Sequence, residues 1–404
     1  MAIGPVCSGT AGTQSARVIE PQRDRGGMYE TLSETSPPID ATTREPVGQL
    51  GWAAYPRIVS MTPYYDLPVA QLRAHVTDAR EPDELDAFWR ESIAAAYTHD
   101  LDANFVPVAS PLSVIDTFDA SYTGFGGDPI LGWLHLPRGV EGPLPCVVEF
   151  LGYGGGRGLS HQHVFWATAG FAHFVMDTRG QGASWSTGHT PDPNSGSASY
   201  PGFMTRGILD PHDYYYRRLF VDAVRAIDAA RAHPAVDGAR IAVAGGSQGG
   251  ALSLAVAALR DDVIAALPQV PFLCDVRRAT QLTDTDPYQE ITRYLKVHRD
   301  QVETVFRTIS FVDVALLAAR ATAPALFSVG LLDTVCPPST VYAAYNAYGG
   351  PKQIIEYAYN DHEGGGEFHQ VAEVEWLRAL LASSPRHDLP LRFTGDAPDQ
   401  AVGS

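Results

Sequence analysis

The run Gly245-Gly246-Ser247-Gln248-Gly249-Gly250 sets a serine in a Gly-x-Ser-x-Gly pattern, directly after the apolar stretch Ile241 to Ala244 and before the helix-like Ala251 to Leu259. A nucleophile on such a strand-to-helix turn sits in a strained backbone conformation, and flanking glycines let neighbouring main chain come close. The N-terminus of the following helix favours negative charge developing beside it. A flexible Gly/Ser loop is the bland alternative, against which the strand before and the helix after both argue. A serine hydroxyl attacks poorly unless a base takes its proton, so the pattern calls for a histidine that a carboxylate orients.

Two later residues meet that demand. Asp333 closes the strand-like Ala325 to Val329 after Gly330-Leu331-Leu332, and His362 follows Ile354 to Tyr357 within Asn360-Asp361-His362-Glu363. Both stand at carboxyl ends of predicted strands, where open sheets bind ligands. Each alone reads as a turn aspartate or a packed histidine, but with Ser247 they complete the chain order Ser, Asp, His of the α/β-hydrolases. Asp361 and Glu363 compete for the acid role. As sequence neighbours of His362 they are badly placed to reach the far side of its ring, so Asp333 is the expected acid.

An acyl-transfer transition state also needs two donors for its oxyanion. The expected pair is the backbone N–H of Gln248, next after the nucleophile, and that of Tyr153, in the loop after an earlier strand. Tyr153 lies in Leu151-Gly152-Tyr153-Gly154-Gly155-Gly156-Arg157-Gly158, directly after the strand-like Cys146 to Phe150. As a phosphate loop the segment fails: it lacks a Gly-Lys-Ser/Thr ending, and Gly-x-Gly-x-x-Gly opened at Gly152 or Gly154 meets Arg157 or Leu159. An ordinary glycine turn is the remaining alternative. Metal chemistry finds little support, because His362-Glu363 would open His-Glu-x-x-His but Gly366 holds the second histidine position. His161 and His163, two apart on a polar loop, read as solvated, and Cys336 as an inert thiol. No metal and no cofactor is expected.

These residues need a scaffold, and the pattern supplies one. Cys146 to Phe150, His173 to Met176, Ile241 to Ala244, Ala325 to Val329 and Ile354 to Tyr357 are short apolar runs separated by segments of helical period, which predicts buried parallel strands in a doubly wound α/β sheet. The clearest helix is Tyr214 to His233, with Leu219, Ala223, Ile227 and Ala230 on one stripe and Pro234 closing it. Pro82 to Tyr97 predicts an earlier helix, and Pro111 to Pro137 an antiparallel hairpin broken at Phe125-Gly126-Gly127-Asp128. Residues 1–60, rich in Gly, Ser, Thr and Pro without periodicity, are expected to be a disordered extension, 61–384 the catalytic domain and 385–404 a flexible tail.

The 404 residues are 45% hydrophobic and 19% charged, a globular composition. With 29 Lys and Arg against 46 Asp and Glu, the formal charge of -17 opposes nucleic acid and anionic lipid as partners. Cys7, Cys146, Cys274 and Cys336 form no C-x-x-C pair. Met1 to Ser15 lacks the basic start and apolar run of a secretory signal, and no stretch approaches the roughly 20 apolar residues of a membrane span. A cytoplasmic enzyme is expected.

Arg179-Gly180-Gln181-Gly182, Gly245-Gly246-Ser247-Gln248-Gly249 and His362-Glu363, in that order, resemble the three signature motifs of the acetyl xylan esterase and cephalosporin C deacetylase family. Tyr64 to Pro68, Phe203 to Asp210, Tyr214 to Arg218, Asp286 to Tyr294 and Gly330 to Asn346 look like that family too, so the likeness covers roughly 61–380. The resemblance implies cofactor-free release of acetyl groups from acetylated xylo-oligosaccharides and cephalosporins. It assigns Ser247 as nucleophile, Asp333 as acid, His362 as base and the backbone of Tyr153 and Gln248 as oxyanion donors. It also implies a homo-oligomer, typically a hexamer whose sites face an internal cavity. Leu151, where some members carry histidine, is a departure expected to alter packing more than chemistry. Arg179 and Gln181 are read as loop-fixing residues beside the site, with substrate contact as the alternative. A broader carboxylesterase or peptidase, and a catalytically inactive binding protein, are the competing functions.

Overall fold

The computed structural model describes residues 65–193 and 196–383, all within the compact unit Ser60–Ser404. The predicted extension 1–60 and tail 385–404, with Cys7, lie outside the described residues.

Nine strands form one sheet: β1 Asn104–Val108, β2 Ile115–Thr123, β3 Pro129–Pro137, β4 Leu144–Phe150, β5 Ala172–Met176, β6 Val236–Gly246, β7 Ala265–Gln269, β8 Ala325–Gly330 and β9 Lys352–Tyr357. Their order across the sheet is β1-β2-β3-β5-β4-β6-β7-β8-β9. From β5 to β9 every neighbour is parallel, whereas β1, β2 and β3 attach as an antiparallel meander through β3 and β5. The β2–β3 connection is the expected hairpin, turning through a 3-10 helix at Phe125–Gly127 where Gly126 takes φ 66°. From β4 the chain first crosses to β5 on one side and then to β6 on the other. That reversal opens a crevice above the carboxyl ends of β4 and β6, where open α/β sheets bind ligands.

The sheet is covered on both faces, and its strands sort their side chains with period two. Cys146 and Val148 of β4, Ile241 and Val243 of β6, and Phe327 and Val329 of β8 join the large core that includes the helices Tyr215–Ala232 and Gln248–Leu259. Val147, Ala242, Ala244 and Leu326 join the second core, under the helix Gly366–Ser383. The early helix Leu85–Ala96 caps the large core, with Trp89 stacked on Phe220 at 5.4 Å and its indole N–H donating to the Phe311 carbonyl at 2.8 Å. Cys146, Cys274 and Cys336 are buried free thiols.

The sequence pattern leaves out the edge strand β1 and two further features. Strand β7, Ala-Leu-Pro-Gln at its end, carries Pro268, which removes a ladder N–H and normally argues against a central strand. It is nevertheless flanked by β6 and β8, and its contact with β8 reduces to the pairs Ala266–Ala325 and Gln269–Ser328. Between β7 and β8 the chain also builds the helices Val276–Leu282, Tyr288–Val297 and Val302–Ser310, followed by the short turns Val314–Leu317 and Ala318–Arg320. They pack through Tyr288, Ile291, Val305 and Ile309, all buried. Asp313 ties their base together: its carboxylate accepts the N–H groups of Asp275, Val276 and Ala315. Asp286 and Pro287 of this excursion line the crevice.

Candidate active site

Ser247 occupies the turn between β6 and the helix Gln248–Leu259 with φ 57° and ψ −117°, a conformation a non-glycine residue keeps only where its surroundings impose it. Here three backbone bonds impose it: the Ser247 N–H donates to Gln269 O at 2.9 Å, while its carbonyl accepts from Phe272 and Ala251, both at 3.0 Å. Glycine is required on either side for a steric reason. A Cβ at Gly245 or Gly249 would run into the Phe150 carbonyl of the neighbouring strand β4. The motif therefore lets the turn press against β4 and lift the serine into the crevice.

Asp333 follows β8 and is fully buried, whereas the His362 side chain, after β9, keeps 30% of its surface exposed. His362 Nδ1 lies 2.9 Å from Asp333 Oδ2. The other carboxylate oxygen of Asp333 accepts the backbone N–H groups of Val335 and Cys336, both at 2.8 Å. With Nδ1 engaged, Nε2 is the imidazole nitrogen left for proton exchange. Asp361 and Glu363 do other work: Asp361 accepts the Thr334 N–H at 2.9 Å, and Glu363 accepts from Asn360 Nδ2 at 2.5 Å. Both thereby shape the loop that presents His362. Tyr65 adds a clasp from the start of the described chain, its hydroxyl donating to the Asp333 carbonyl.

Ser247, His362 and Tyr153 line one cleft of about 610 Å³, a size suited to a small organic ligand. Its walls mix apolar groups, among them Val270 and Val335, with the carboxylates of Glu149, Asp286 and Glu363. A larger hollow, about 770 Å³, lies between the start of the described chain and the helical excursion. It is crossed by the ion pairs Arg277–Glu303 and Arg307–Glu84, and its Ser310 hydroxyl is spent on the Arg307 carbonyl. The smaller cleft is the one with a nucleophile and a base.

The main-chain N–H of Tyr153 donates to nothing among the described residues, and that of Gln248 opens a helix, where no intrahelical acceptor exists. The Tyr153 side chain points away and anchors the loop. Its hydroxyl donates to Glu290 Oε1 at 2.7 Å and accepts the N–H groups of Gly202 and Phe203 at 3.2 and 2.8 Å. Burial, then the Glu290 charge, pushes that phenol far above its ordinary range, so it stays protonated. Trp185 lies flat over the same loop, where a Cβ at Gly155 would strike its ring, and its indole N–H donates to the Tyr153 carbonyl at 2.8 Å. Leu151 is buried in a small cluster with Trp133 and Val175, consistent with a role in packing.

Arg179 and Gln181 are fully buried and do not line the cleft. The Arg179 guanidinium holds Asp222 through two nitrogens and Asp128 through a third at 2.9 Å. Gln181 is a brace between the two loops that carry free amides. Its Oε1 accepts the Gly154 N–H at 2.7 Å and its Nε2 donates to Gln248 Oε1 at 2.8 Å; Gln248 Nε2 in turn donates to the Leu151 carbonyl at 3.1 Å. The loop-fixing reading of these residues thus acquires a geometry, and their alternative as substrate contacts has none.

Among the described residues one group of metal-compatible atoms lies close together: Asp333, Cys336 and His362, within 4.8 Å of one another. Their chemistry suits proton transfer better. The Asp333 carboxylate is already filled by two amides and an imidazole, and burial, followed by the charge of Asp333, drives the Cys336 thiol well above its ordinary value, with hydrogen bonding to Ser247 pulling the other way. A protonated thiol is a poor ligand and a poor nucleophile.

Sequence reasoning missed Glu290, Trp185 and Glu149, and it misread His163. Only Trp185 left a trace, as a lone tryptophan in the polar segment Ser184-Trp185-Ser186. His163 is corrected from solvated to cleft-lining, its side chain 18% exposed and facing Glu149, whereas His161 is exposed as expected.

Known proteins resemble this chain over most of its length. The model of the family described as Acetyl xylan esterase (AXE1) matches residues 62–380. The chain is 27% identical over 314 residues to Acetyl esterase Axe7A of Xylanibacter ruminicola, covering 74% of this chain and 67% of that protein. Among solved structures it resembles an acetyl xylan esterase from Paenibacillus sp. R4, at 38% identity and a TM-score of 0.72, and Acetyl Xylan Esterase 1 from Thermoanaerobacterium sp. JW/SL YS485, at 32% and 0.71. Each likeness covers 78% of this chain and 99% of the other.

Proposed function

The chain belongs to the acetyl xylan esterase family, and from that premise and the geometry of its cleft we propose that it removes acetyl groups from acetylated xylo-oligosaccharides and cephalosporin-type acetyl esters through an acetyl-enzyme. The observation that carries the proposal is the Asp333–His362 pair, 2.9 Å apart, in the same cleft as a serine held at φ 57°.

Ser247 Oγ attacks the acetyl carbonyl carbon while its proton passes to His362 Nε2. The carbonyl π electrons move onto oxygen, and the oxyanion is held by the N–H groups of Tyr153 and Gln248, which need no reorganisation because neither has another acceptor among the described residues. Collapse of the tetrahedral adduct breaks the bond to the alcohol oxygen, which takes the proton from His362. Water then attacks the acetyl-serine and gives one proton to His362, and the second adduct collapses to acetic acid, which ionises in solvent, as His362 returns its proton to Ser247 Oγ. Asp333, held in place by two backbone donors, fixes the imidazole tautomer and offsets its positive charge.

Residues 61–384 are proposed as the catalytic domain, assembling into a homo-oligomer, a hexamer by family resemblance, and acting in the cytoplasm. No helix among the described residues is long and apolar enough to cross a membrane. An acetate-release screen over acetylated xylo-oligosaccharides, cephalosporin C and a series of acetyl, butyryl and octanoyl esters tests the substrate claim. A kcat/KM that rises with acyl length points instead to a general carboxylesterase, since the triad does not fix the acyl group.

A further inference from the structure

The cleft contains a second carboxylate and histidine that the reaction leaves unused. Glu149 is the last residue but one of β4 and shares the sheet face of Val147, on the side of the helix Gly366–Ser383. Its Oε2 lies 2.7 Å from Nε2 of the fully buried His173, which fixes the carboxylate in place. Oε1 makes no hydrogen bond among the described residues and stands 3.9 Å from His163 Nδ1. Both Glu149 and His163 line the cleft that holds Ser247.

His163 is held in the left-handed region at φ 52°, where a non-glycine residue costs energy. Strain of this kind clusters at functional sites, and here it turns the ring toward Glu149. Burial lowers the His163 pKa, so its ring is neutral, with one N–H to give. For Glu149 burial works upward, but the hydrogen bond and charge of His173 outweigh it and hold the carboxyl below its ordinary value. An anionic acceptor therefore faces a neutral donor across a gap too wide for them to bond directly. One alcohol oxygen at ~2.8 Å from each would fill it, donating its proton to Glu149 and accepting from His163.

We propose that Glu149 and His163 form a receptor for one hydroxyl of the alcohol half of the ester, so that this chain selects acetates of polyols over acetates of plain alcohols. The inference rests on the esterase reading and deepens it. Glu149 and His163 are specificity residues, apart from the reacting atoms, and His173 is their positioning residue. The Glu149 side chain is part-exposed at 25%, so a ligand lacking the hydroxyl displaces water from Oε1 and gives it no partner in return, and an unmatched polar group is a usual source of such discrimination.

The test compares methyl 2-O-acetyl-β-xyloside, which has free hydroxyls beside the ester, with cyclohexyl acetate, which has a ring and none. Wild type, His163→Leu and Glu149→Gln are assayed on both, with an aryl acetate as reference and thermal unfolding as the check on folding. Wild type should prefer the xyloside, and His163→Leu should lose about tenfold of that preference, chiefly in KM. The fall on the aryl acetate, which offers the pair no hydroxyl, should be clearly smaller than the fall on the xyloside. Glu149→Gln, isosteric and still an acceptor for His173, should lose less. An unchanged preference in both variants, with water alone bridging the pair, overturns the receptor, as does an equal fall on all three substrates. A folded wild type that cleaves no acetate overturns the esterase reading itself.

Discussion

Gln181→Leu is the perturbation that bears hardest on how the oxyanion site is built. It deletes the acceptor of the Gly154 N–H at 2.7 Å and the donors to Gln248 Oε1 at 2.8 Å and to the Tyr215 hydroxyl at 3.0 Å. Tyr216 still donates to Gln248 Oε1 at 3.1 Å, so the group left stranded is the buried Gly154 amide. A buried donor without a partner costs about 1–3 kcal/mol, and unfolding should show a loss of stability of that size. The kinetic effect follows from the neighbouring residue. The Tyr153 N–H loses the brace that sets its distance to the Gln248 N–H, and complete loss of one oxyanion donor costs about 10²–10³ in kcat. Displacement short of loss should lower kcat by about 10- to 100-fold, with KM little changed because the contact forms only in the transition state. Steady-state kinetics on an aryl acetate measure this directly. Gln248→Leu should overlap with Gln181→Leu, the double variant losing less than the product of the two effects, since both act on one network. A folded Gln181→Leu enzyme with kcat within about threefold of wild type would refute the reasoning, as would a loss confined to KM.

Three further outcomes are expected. Asp333→Asn should cut kcat by about four orders of magnitude, with stability changed far less, because an amide favours the wrong imidazole tautomer; steady-state kinetics beside a melting curve check it. Gly249→Ala should destabilise the fold by about 3 kcal/mol, since its Cβ meets the Phe150 backbone and no flexible side chain can yield, a loss readable in urea unfolding. Glu373, buried under the sheet and bonded to Gln269 at 2.8 Å, has its pKa raised by burial to about 8. The folded protein therefore holds a proton that the unfolded chain gives up near 4.5. Its stabilising share is complete below that value and is lost as pH rises through about 8. Melting temperatures should fall over this interval, and Glu373→Gln should flatten the fall; an unaltered profile in the variant would assign the effect elsewhere.

How much of this was legible in the sequence depends on what each residue touches. Ser247 announced itself because the contacts that constrain it are local: glycines on both sides, a strand before and a helix after. Asp333 and His362 could be placed because strand ends and chain order substitute for distance in a parallel sheet. The amide loops were legible for the same reason, each following a recognisable apolar strand. Strand β7 was hidden by Pro268, whose missing N–H is accommodated by a ladder to β8 with few pairs, a tertiary circumstance with no sequence mark. The helices between β7 and β8 are short, and their buried faces rest on residues far away in the chain, so their periodicity carries little signal. Glu149 was read as part of an apolar strand and His163 as part of a polar loop. Their meeting depends on His173 and a left-handed turn, neither of which spacing reveals. Gln181 was placed correctly as a loop-fixing residue, but which loops it joins required coordinates.

The central claim is that Ser247 carries the acetyl group, and covalent trapping tests it most directly. Treatment with an organophosphate followed by peptide mass spectrometry should find one phosphoryl group per chain, on Ser247, with aryl acetate turnover lost in proportion. His362→Ala should label far more slowly under the same conditions. Inactivation with the label on another residue, or a folded Ser247→Ala protein that still turns over the acetate, would contradict the account.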